Sequence, residues 1–443
     1  MNREKKIAII GGGLAGCECA HALARSGIAS TIFEMKPEKY SPAHSGTGLA
    51  ELVCSNSLRS EEPTSAVGLL KLEMADAGSL VMEAARQTRV PAGKALAVDR
   101  ELFSNCMTAA VEENPLITVE RREIESLGDP VLEDFEYVVV AAGPLASTSL
   151  AESLSAAIGA DHLHFYDAVA PIVDTESVDQ NVCYWASRYK PEEKDYLNCP
   201  MNEEQYRAFH AALTEADRVG KREFEEKKHF EGCMPVEALA ERGDMTLAFG
   251  PLKPVGLEDP RTGKRPFAVV QLRPENAEKT ALNMVGFQTR LKWPEQKRVF
   301  SMIPGLENAE FLRLGSIHRN TFVDAPRVLG PDLQLRARPG VYLAGQITGV
   351  EGYVESAACG LWLGLHLAGK ILGREVGRPP RETALGGLLS HLESDAKNFQ
   401  PSNVQFGLMP PLNKRAGKKK RKELYMQRAR ESYAGWLAGS LPG

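Results

Sequence analysis

Residues 5–36 read "KKIAIIGGGLAGCECAHALARSGIASTIFEMK", and the fold turns on how this stretch is parsed. The apolar run Ile7 to Ile10 breaks at Gly11-Gly12-Gly13-Leu14-Ala15-Gly16, and an alanine-rich helical segment follows that stops near Gly27. A run of buried-strand character leading into a glycine turn and then a helix is the first half of a β-α-β unit. A second short strand, Thr31 to Phe33, delivers Glu34. Gly11, Gly13 and Gly16 fit G-x-G-x-x-G in its required context: a tight turn, bare backbone against a pyrophosphate, and close strand–helix contact, with phosphate at the helix N-terminus. Glu34 then stands where a carboxylate bonds a ribose hydroxyl. The stretch predicts a dinucleotide site on an α/β, Rossmann-like domain, with NAD or FAD both open at this point.

Working outward, 443 residues exceed what one simple core usually serves. The chain is 43% hydrophobic and 25% charged, ordinary values for a globular protein, and no uninterrupted apolar run could span a bilayer. The start leads directly into a strand rather than a leader, and the expected location is the cytoplasm, with no membrane partner. Eight cysteines at 17, 19, 54, 106, 183, 199, 233 and 359 show neither disulfide-scaffold density nor paired metal-ligand spacing. Free thiols and no metal are expected. A net charge of −5 excludes a globally basic nucleic-acid binder, so any such partner needs a local patch.

Two later segments favour FAD. "EYVVVAAGP" (136–144) is a strand ending at Gly143, and "GVYLAGQITGVEGYVESAACGLWLG" (340–364) offers another strand, a glycine-studded loop through Gly345, and a small-residue helix. This order resembles flavoproteins of the glutathione-reductase-like type, whose C-terminal segment closes over the flavin. A helix beginning near Gly352 would turn its positive end to the flavin N1/O2 edge. Tyr353 beside it is a candidate to stack on the ring, or else a surface tyrosine. No second glycine fingerprint opens a helix, so a nicotinamide would visit and leave. The division expected is a first FAD-binding part over 1–154, a mixed α+β insertion over 155–325, and a second FAD-binding part over 326–443. Within the insertion, residues 267–272 and 281–287 alternate as strands, 192–213 reads as a turn and helix, and 246–274 reads as proline-rich strands. Near the end, seven of the nine residues 414–422 are Lys or Arg: Lys414, Arg415, Lys418, Lys419, Lys420, Arg421 and Lys422.

"CSNSLRS" (54–60), "VPAGKALAVDRELFS" (90–104), "DYLNCPMNEEQY" (195–206), "FEGCMPVEALAERG" (230–243), "LAFGPLKPVGLEDPRTGKRPFAVVQLR" (247–273), "VGFQTRLKWPEQKRVF" (285–300), "HRNTF" (318–322) and "AGQITGVEGYVESAACGL" (344–361) together resemble the bacterial folate- and FAD-dependent tRNA (uracil-5-)-methyltransferases, the TrmFO family. These are relatives of the GidA/MnmG flavoproteins that modify wobble uridines. The resemblance implies methylation of C5 of uridine 54 in the tRNA T-loop, with 5,10-methylenetetrahydrofolate as carbon donor and FAD reduced by NADH or NADPH. A ribosomal RNA uridine, or a wobble uridine as in the GidA type, is the alternative substrate. Uracil C5 becomes nucleophilic only when something adds at C6, and a thiolate can do so. By the resemblance, Cys233 is the nucleophile and Cys54 a thiol near the flavin, the two roles being exchangeable; the remaining cysteines are left to packing. His318 is the candidate for the pterin, Arg290 or Lys292 for the polar part of folate. The basic run 418–422 is the candidate for tRNA phosphates, joined by Arg222, Lys227 and Lys228 near Cys233. Oligomeric state is not legible.

Overall fold

The computed structural model describes residues 7–159, 166–190, 192–219, 234–274, 279–319, 321–393, 399, 401–412 and 417–440; side chains at 166–169, 316–319 and 418–419 are outside the description. Strand Ile7–Ile10 is fully buried and lies at the centre of a five-stranded parallel sheet. The strand order is Val341–Leu343, Tyr137–Val140, Ile7–Ile10, Ser30–Glu34, Ile117–Arg121. Parallel strands covered on both faces need apolar residues at successive positions, which is why IAII and YVVV do not alternate. The chain leaves the central strand first to one side and later to the other, so the crevice for a ligand opens at the carboxyl ends beside Ile10.

Helix Leu14–Arg25 ends just before Gly27, whose φ of 76° supplies the left-handed exit. It packs on helix Tyr353–Ile371, which is buried along almost its entire length. The crossing is close because small residues face each other. A Cβ on Gly360 would sit 2.1 Å from the Ala15 carbonyl oxygen, and one on Gly364 would sit 2.7 Å from both the Cys19 oxygen and Ala22 Cβ. Thus the helix next to the nucleotide strand and the helix that starts 339 residues after it does form one layer.

One apolar core of buried residues draws on positions between 7 and 154 and between 322 and 433; a second lies between 173 and 306. The second is built on a six-stranded antiparallel sheet in the order Tyr184–Trp185, Leu197–Met201, Ala268–Pro274, Ala281–Met284, Ile172–Asp174, Phe311–Arg313. The chain enters and leaves this sheet through an antiparallel pair, Tyr166–Val169 with Ser316–Arg319. The expected helix within 192–213 is Glu203–Glu215, started by a capping box between Asn202 and Gln205, and a strand precedes it. The stretch 246–274 corrects the expectation: only Ala268–Pro274 is strand, and what precedes it is a short helix, Thr246–Phe249, and turns. Pro251, Pro254 and Pro260 lack the N–H a ladder requires. A small three-stranded sheet, Ser57–Ser60 with Ala95–Val98 and Arg89–Val90, carries the "CSNSLRS" motif.

Candidate active site

A cleft runs across the carboxyl ends of the parallel sheet. Gly11, Gly13, Glu34, Gly143 and Gly345 line it, together with Cys54 and Tyr353. The three fingerprint glycines do separate jobs. Gly11 has φ 106°, and a Cβ there would lie 2.7 Å from the Ala141 carbonyl oxygen of the neighbouring strand exit. A Cβ on Gly16 would lie 2.0 Å from the Gly11 carbonyl oxygen, so helix and turn touch. Above Gly13 nothing lies within 4 Å. That opening, at a helix N-terminus whose Gly13 cap makes no side-chain hydrogen bond, suits a pyrophosphate approaching bare backbone. Glu34 accepts hydrogen bonds from the Gly12 amide at 2.8 Å and the Lys36 amide at 3.0 Å, which fixes its carboxylate at the cleft wall. The donor-rich helix start, the open glycine and the placed carboxylate fit the dinucleotide part of FAD.

Gly352 caps helix Tyr353–Ile371 with φ 112°, a backbone conformation that favours glycine. Tyr353 does something the sequence did not announce. Its hydroxyl accepts from the Cys54 amide at 2.8 Å and from Cys54 Sγ at 2.9 Å, tying residues 299 apart in the chain. Burial, and then the neighbouring Cys54, hold the Tyr353 phenol well above its ordinary range, so it stays protonated. Cys54 itself is half-buried at the cleft, whereas Cys17, Cys19, Cys183, Cys199 and Cys359 are buried and Cys106 is half-buried on the helix Arg100–Glu112. The Cys17 thiol, beside the phosphate turn, is pushed up by burial and by Glu34, so it is inert.

The loop holding Cys54 is bolted by arginines that sequence reasoning passed over. Arg100 donates to the Leu52 carbonyl at 2.7 Å, and Arg313 to the Val53 carbonyl at 3.0 Å. Arg273 donates to Ser55 Oγ at 2.7 Å and Asn56 Oδ1 at 2.9 Å. The available signal was a charged residue, Arg273, interrupting the apolar strand AVVQLRP. Farther along the cleft, buried Lys36 donates to the Gly48 carbonyl at 2.6 Å and pairs with Glu51 at 3.3 Å, also missed.

Of the other expected residues, those described lie away from the cleft and the rest are outside the description. Arg290 is buried, with its Nε 3.8 Å from Glu237, and Lys292 is exposed and paired with Asp217 at 3.2 Å; neither is among the residues lining the cleft. His318 is in the strand opposite Asp167, and its side chain is outside the description. Cys233, Arg222, Lys227, Lys228, Lys414 and Arg415 are outside the described residues. Lys418 and Lys419 open the helix Lys418–Ser440, on which Lys420, Arg421 and Lys422 are exposed. Among the described residues no cluster of His, Cys, Asp and Glu could hold a metal, and no helix is long and apolar enough to cross a membrane.

Comparison with known proteins agrees with this geometry. Residues 6–375 match the family model "Glucose inhibited division protein A". The methylenetetrahydrofolate–tRNA-(uracil-5-)-methyltransferase TrmFO of Oleidesulfovibrio alaskensis is 64% identical over 438 residues, covering 99% of this chain and 98% of that protein. Its namesake from Lawsonia intracellularis is 54% identical, with 98% of each chain covered. Among solved structures, Aquifex aeolicus GidA superposes with a TM-score of 0.71 at 17% identity, over 99% of this chain and 74% of that one, a likeness of fold. A family model over most of the sequence, and relatives well above half identical from end to end, place the chain in the GidA family and, within it, in the TrmFO family.

Proposed function

We propose that the protein methylates C5 of uridine 54 in the tRNA T-loop, taking carbon from 5,10-methylenetetrahydrofolate and electrons from NADH or NADPH by way of FAD, in the cytoplasm. The observation that carries this reading is the placement of Cys54, held by Tyr353, on the wall of a dinucleotide cleft in a chain 64% identical to a TrmFO enzyme. A thiol beside a redox cofactor is what a reductive methyl transfer to a pyrimidine requires.

Bound FAD would supply the two electrons that take a carbon at the formaldehyde level down to a methyl group. The chain's own residues supply the rest. Gly11, Gly13 and Gly16 admit the pyrophosphate, Glu34 takes the ribose, and Gly143, Gly345 and Gly352 shape the flavin end. Cys233 adds as thiolate to uracil C6, which makes C5 nucleophilic, and leaves when the C5 proton is lost. Cys54 assists near the flavin, as transfer partner or proton acceptor. Overall, uridine, methylenetetrahydrofolate, one NAD(P)H and one proton become 5-methyluridine, tetrahydrofolate and NAD(P)⁺; the proton lost from C5 is balanced by the one taken up at the folate nitrogen, so none is released net. His318, with Arg290 or Lys292, is assigned to folate, and the segment 155–325 to folate and RNA, with 1–154 and 326–443 holding FAD.

The basic run adds support for an RNA partner. Lys418, Lys419, Lys420, Arg421 and Lys422 occupy the first turns of a 23-residue helix, where positive charge opposes the helix dipole. Within this set, Lys420 has an acidic neighbour on its own helix, Glu423 at 3.4 Å. An external polyanion relieves that repulsion.

The test is methyl formation on a T-loop transcript given methylenetetrahydrofolate and NAD(P)H, with Cys54→Ala and Cys233→Ala alongside wild type. The expected result is 5-methyluridine at position 54 only when folate is present, and losses of about a hundredfold or more in both variants. Methylation that persists without folate, or on a different nucleotide, overturns the reading.

A further inference from the structure

Cys54 stands at a junction between the two cores. The thiol and its own amide are held by Tyr353, on the long helix of the first core. The residues on either side of it are held from both: from the first core, the Val53 carbonyl by Arg100 at 3.2 Å and the Ser55 amide by the Tyr353 hydroxyl at 3.4 Å, and from the second by two arginines. Val53 is gripped through its carbonyl by Arg313, in the edge strand Phe311–Arg313 of the insertion sheet. Ser55 and Asn56 are gripped by the fork of Arg273, near the end of the interior strand Ala268–Pro274. The Asn56 side-chain amide returns a bond to the Pro274 carbonyl at 2.9 Å and another to the Val98 carbonyl at 3.1 Å. Arg273 is 7% exposed and Asn56 fully buried, so water does not substitute for these partners.

We propose that Arg273 is a positioning residue for Cys54: its guanidinium fork ties Ser55 and Asn56 to the insertion sheet, so that this sheet sets where the thiol lies in the cleft. The inference rests on the role given to Cys54 above. An arginine suits the task because two donors in a rigid plane reach two acceptors on adjacent residues, which a lysine ammonium reaches one at a time. Displacing a reacting group by about 1 Å can cost up to about a hundredfold in rate, so the tie matters out of proportion to its size.

The experiment uses the full-length, FAD-loaded protein with Arg273→Lys and Ser55→Ala. Four quantities are read: kcat, KM for folate and tRNA, the rate of iodoacetamide alkylation of Cys54 followed by peptide mass spectrometry, and the melting temperature with flavin content. For Arg273→Lys, kcat falls by about tenfold with each KM within about twofold, while Cys54 alkylation rises by about threefold as the loop slackens away from Tyr353. Ser55→Ala, which leaves the sheet intact, moves both rates in the same directions by less. Opposite movement of turnover and thiol accessibility at constant flavin content is the signature of lost positioning. If both variants keep wild-type kcat and alkylation, the proposal is overturned. It is equally overturned if Arg273→Lys changes them only as flavin and melting temperature are lost while Ser55→Ala behaves as wild type. A wild-type protein that makes no 5-methyluridine sinks the proposed function instead, and the alkylation comparison still reads out the tie.

Discussion

Gly13 and Gly16 are three residues apart in the same motif, yet replacing them with alanine has different consequences. The Gly13 backbone is in an ordinary extended conformation and its missing Cβ faces open space, so Gly13→Ala folds normally and intrudes only on the ligand. Flavin affinity is expected to fall about tenfold or more, equivalent to roughly 1.4 kcal/mol, with the melting temperature of flavin-free protein unchanged; fluorescence titration and thermal melting read the two effects. At Gly16 the added Cβ meets the Gly11 carbonyl 2.0 Å away. Gly16→Ala therefore costs the fold itself about 1–3 kcal/mol or more, visible in the flavin-free melt. If the two variants behave alike, the separation of phosphate access from strand–helix contact is wrong. The same scale holds the distinction between cysteines: what sets Cys54 apart from Cys17 is a wall position and a tyrosine hydroxyl, against complete burial.

Helix Tyr353–Ile371 serves the site through its packing as much as through its first residue. Its Gly360 and Gly364 let it lie directly on helix Leu14–Arg25, so the start of one is held relative to the start of the other. Gly360→Val would drive a branched side chain into the Ala15 carbonyl, costing about 1–3 kcal/mol or more and spreading the two helix starts that flank the cleft. Both melting temperature and flavin content are expected to drop; a variant with normal flavin content would show that the crossing does not shape the cleft. The helix Lys418–Ser440 docks on the same core through buried Ala429 and Tyr433, and leaves its basic first turns exposed. Replacing Lys420, Arg421 and Lys422 by Gln removes up to three phosphate contacts. Filter binding of tRNA across a salt series should then show weaker binding and a slope of log K against log salt shallower by about 2–3. An unchanged slope would reduce the run to a solvated surface.

At the scale of the molecule, three of the described buried ionisable groups illustrate how stability depends on pH. Glu18 accepts the amides of Leu80 and Val81, and Glu73 those of Ala384 and Leu385; each carboxyl is nonetheless pushed up by burial, to about 7 and about 8. Lys71, buried and bonded to the Arg59 and Ser60 carbonyls, is pushed down to about 7 by burial and by Arg59. Between about pH 4.5 and 8 the native state holds more carboxyl protons than the unfolded chain, so stability from Glu18 and Glu73 is present at low pH and lost as pH rises through that window. Lys71 has the opposite sign: the unfolded chain holds more protons between about 7 and 10.5, so stability recovers as pH rises. Each full proton of difference is worth about 1.4 kcal/mol per pH unit. Urea midpoints are expected to fall from pH 5 toward 8 less steeply in Glu73→Gln, and to climb from pH 7 to 10 less steeply in Lys71→Met. Wild-type slopes in both variants would remove these groups as the cause.

The nucleotide strand, the glycine turn, its helix and Glu34 were legible in the sequence because they act over short chain distances: an apolar run, a cap and a spacing specify local geometry before any tertiary contact forms. The polar setting of Cys54 was legible too, since a thiol among serines, an asparagine and an arginine does not read as core, but its assignment to the chemistry came only through the family resemblance. The short helix and turns at 246–267 were misread as proline-rich strands, although prolines there remove the N–H groups a ladder needs. Only the folded chain could show that Tyr353 holds Cys54 across 299 residues, that Arg273 and Arg313 grip its neighbours from another core, and that Arg290 lies beside Glu237. Periodicity records which face of an element is buried, but it carries no information about which distant element a polar side chain will meet. That pairing is decided by the need of each buried donor and acceptor for a partner in the assembled fold.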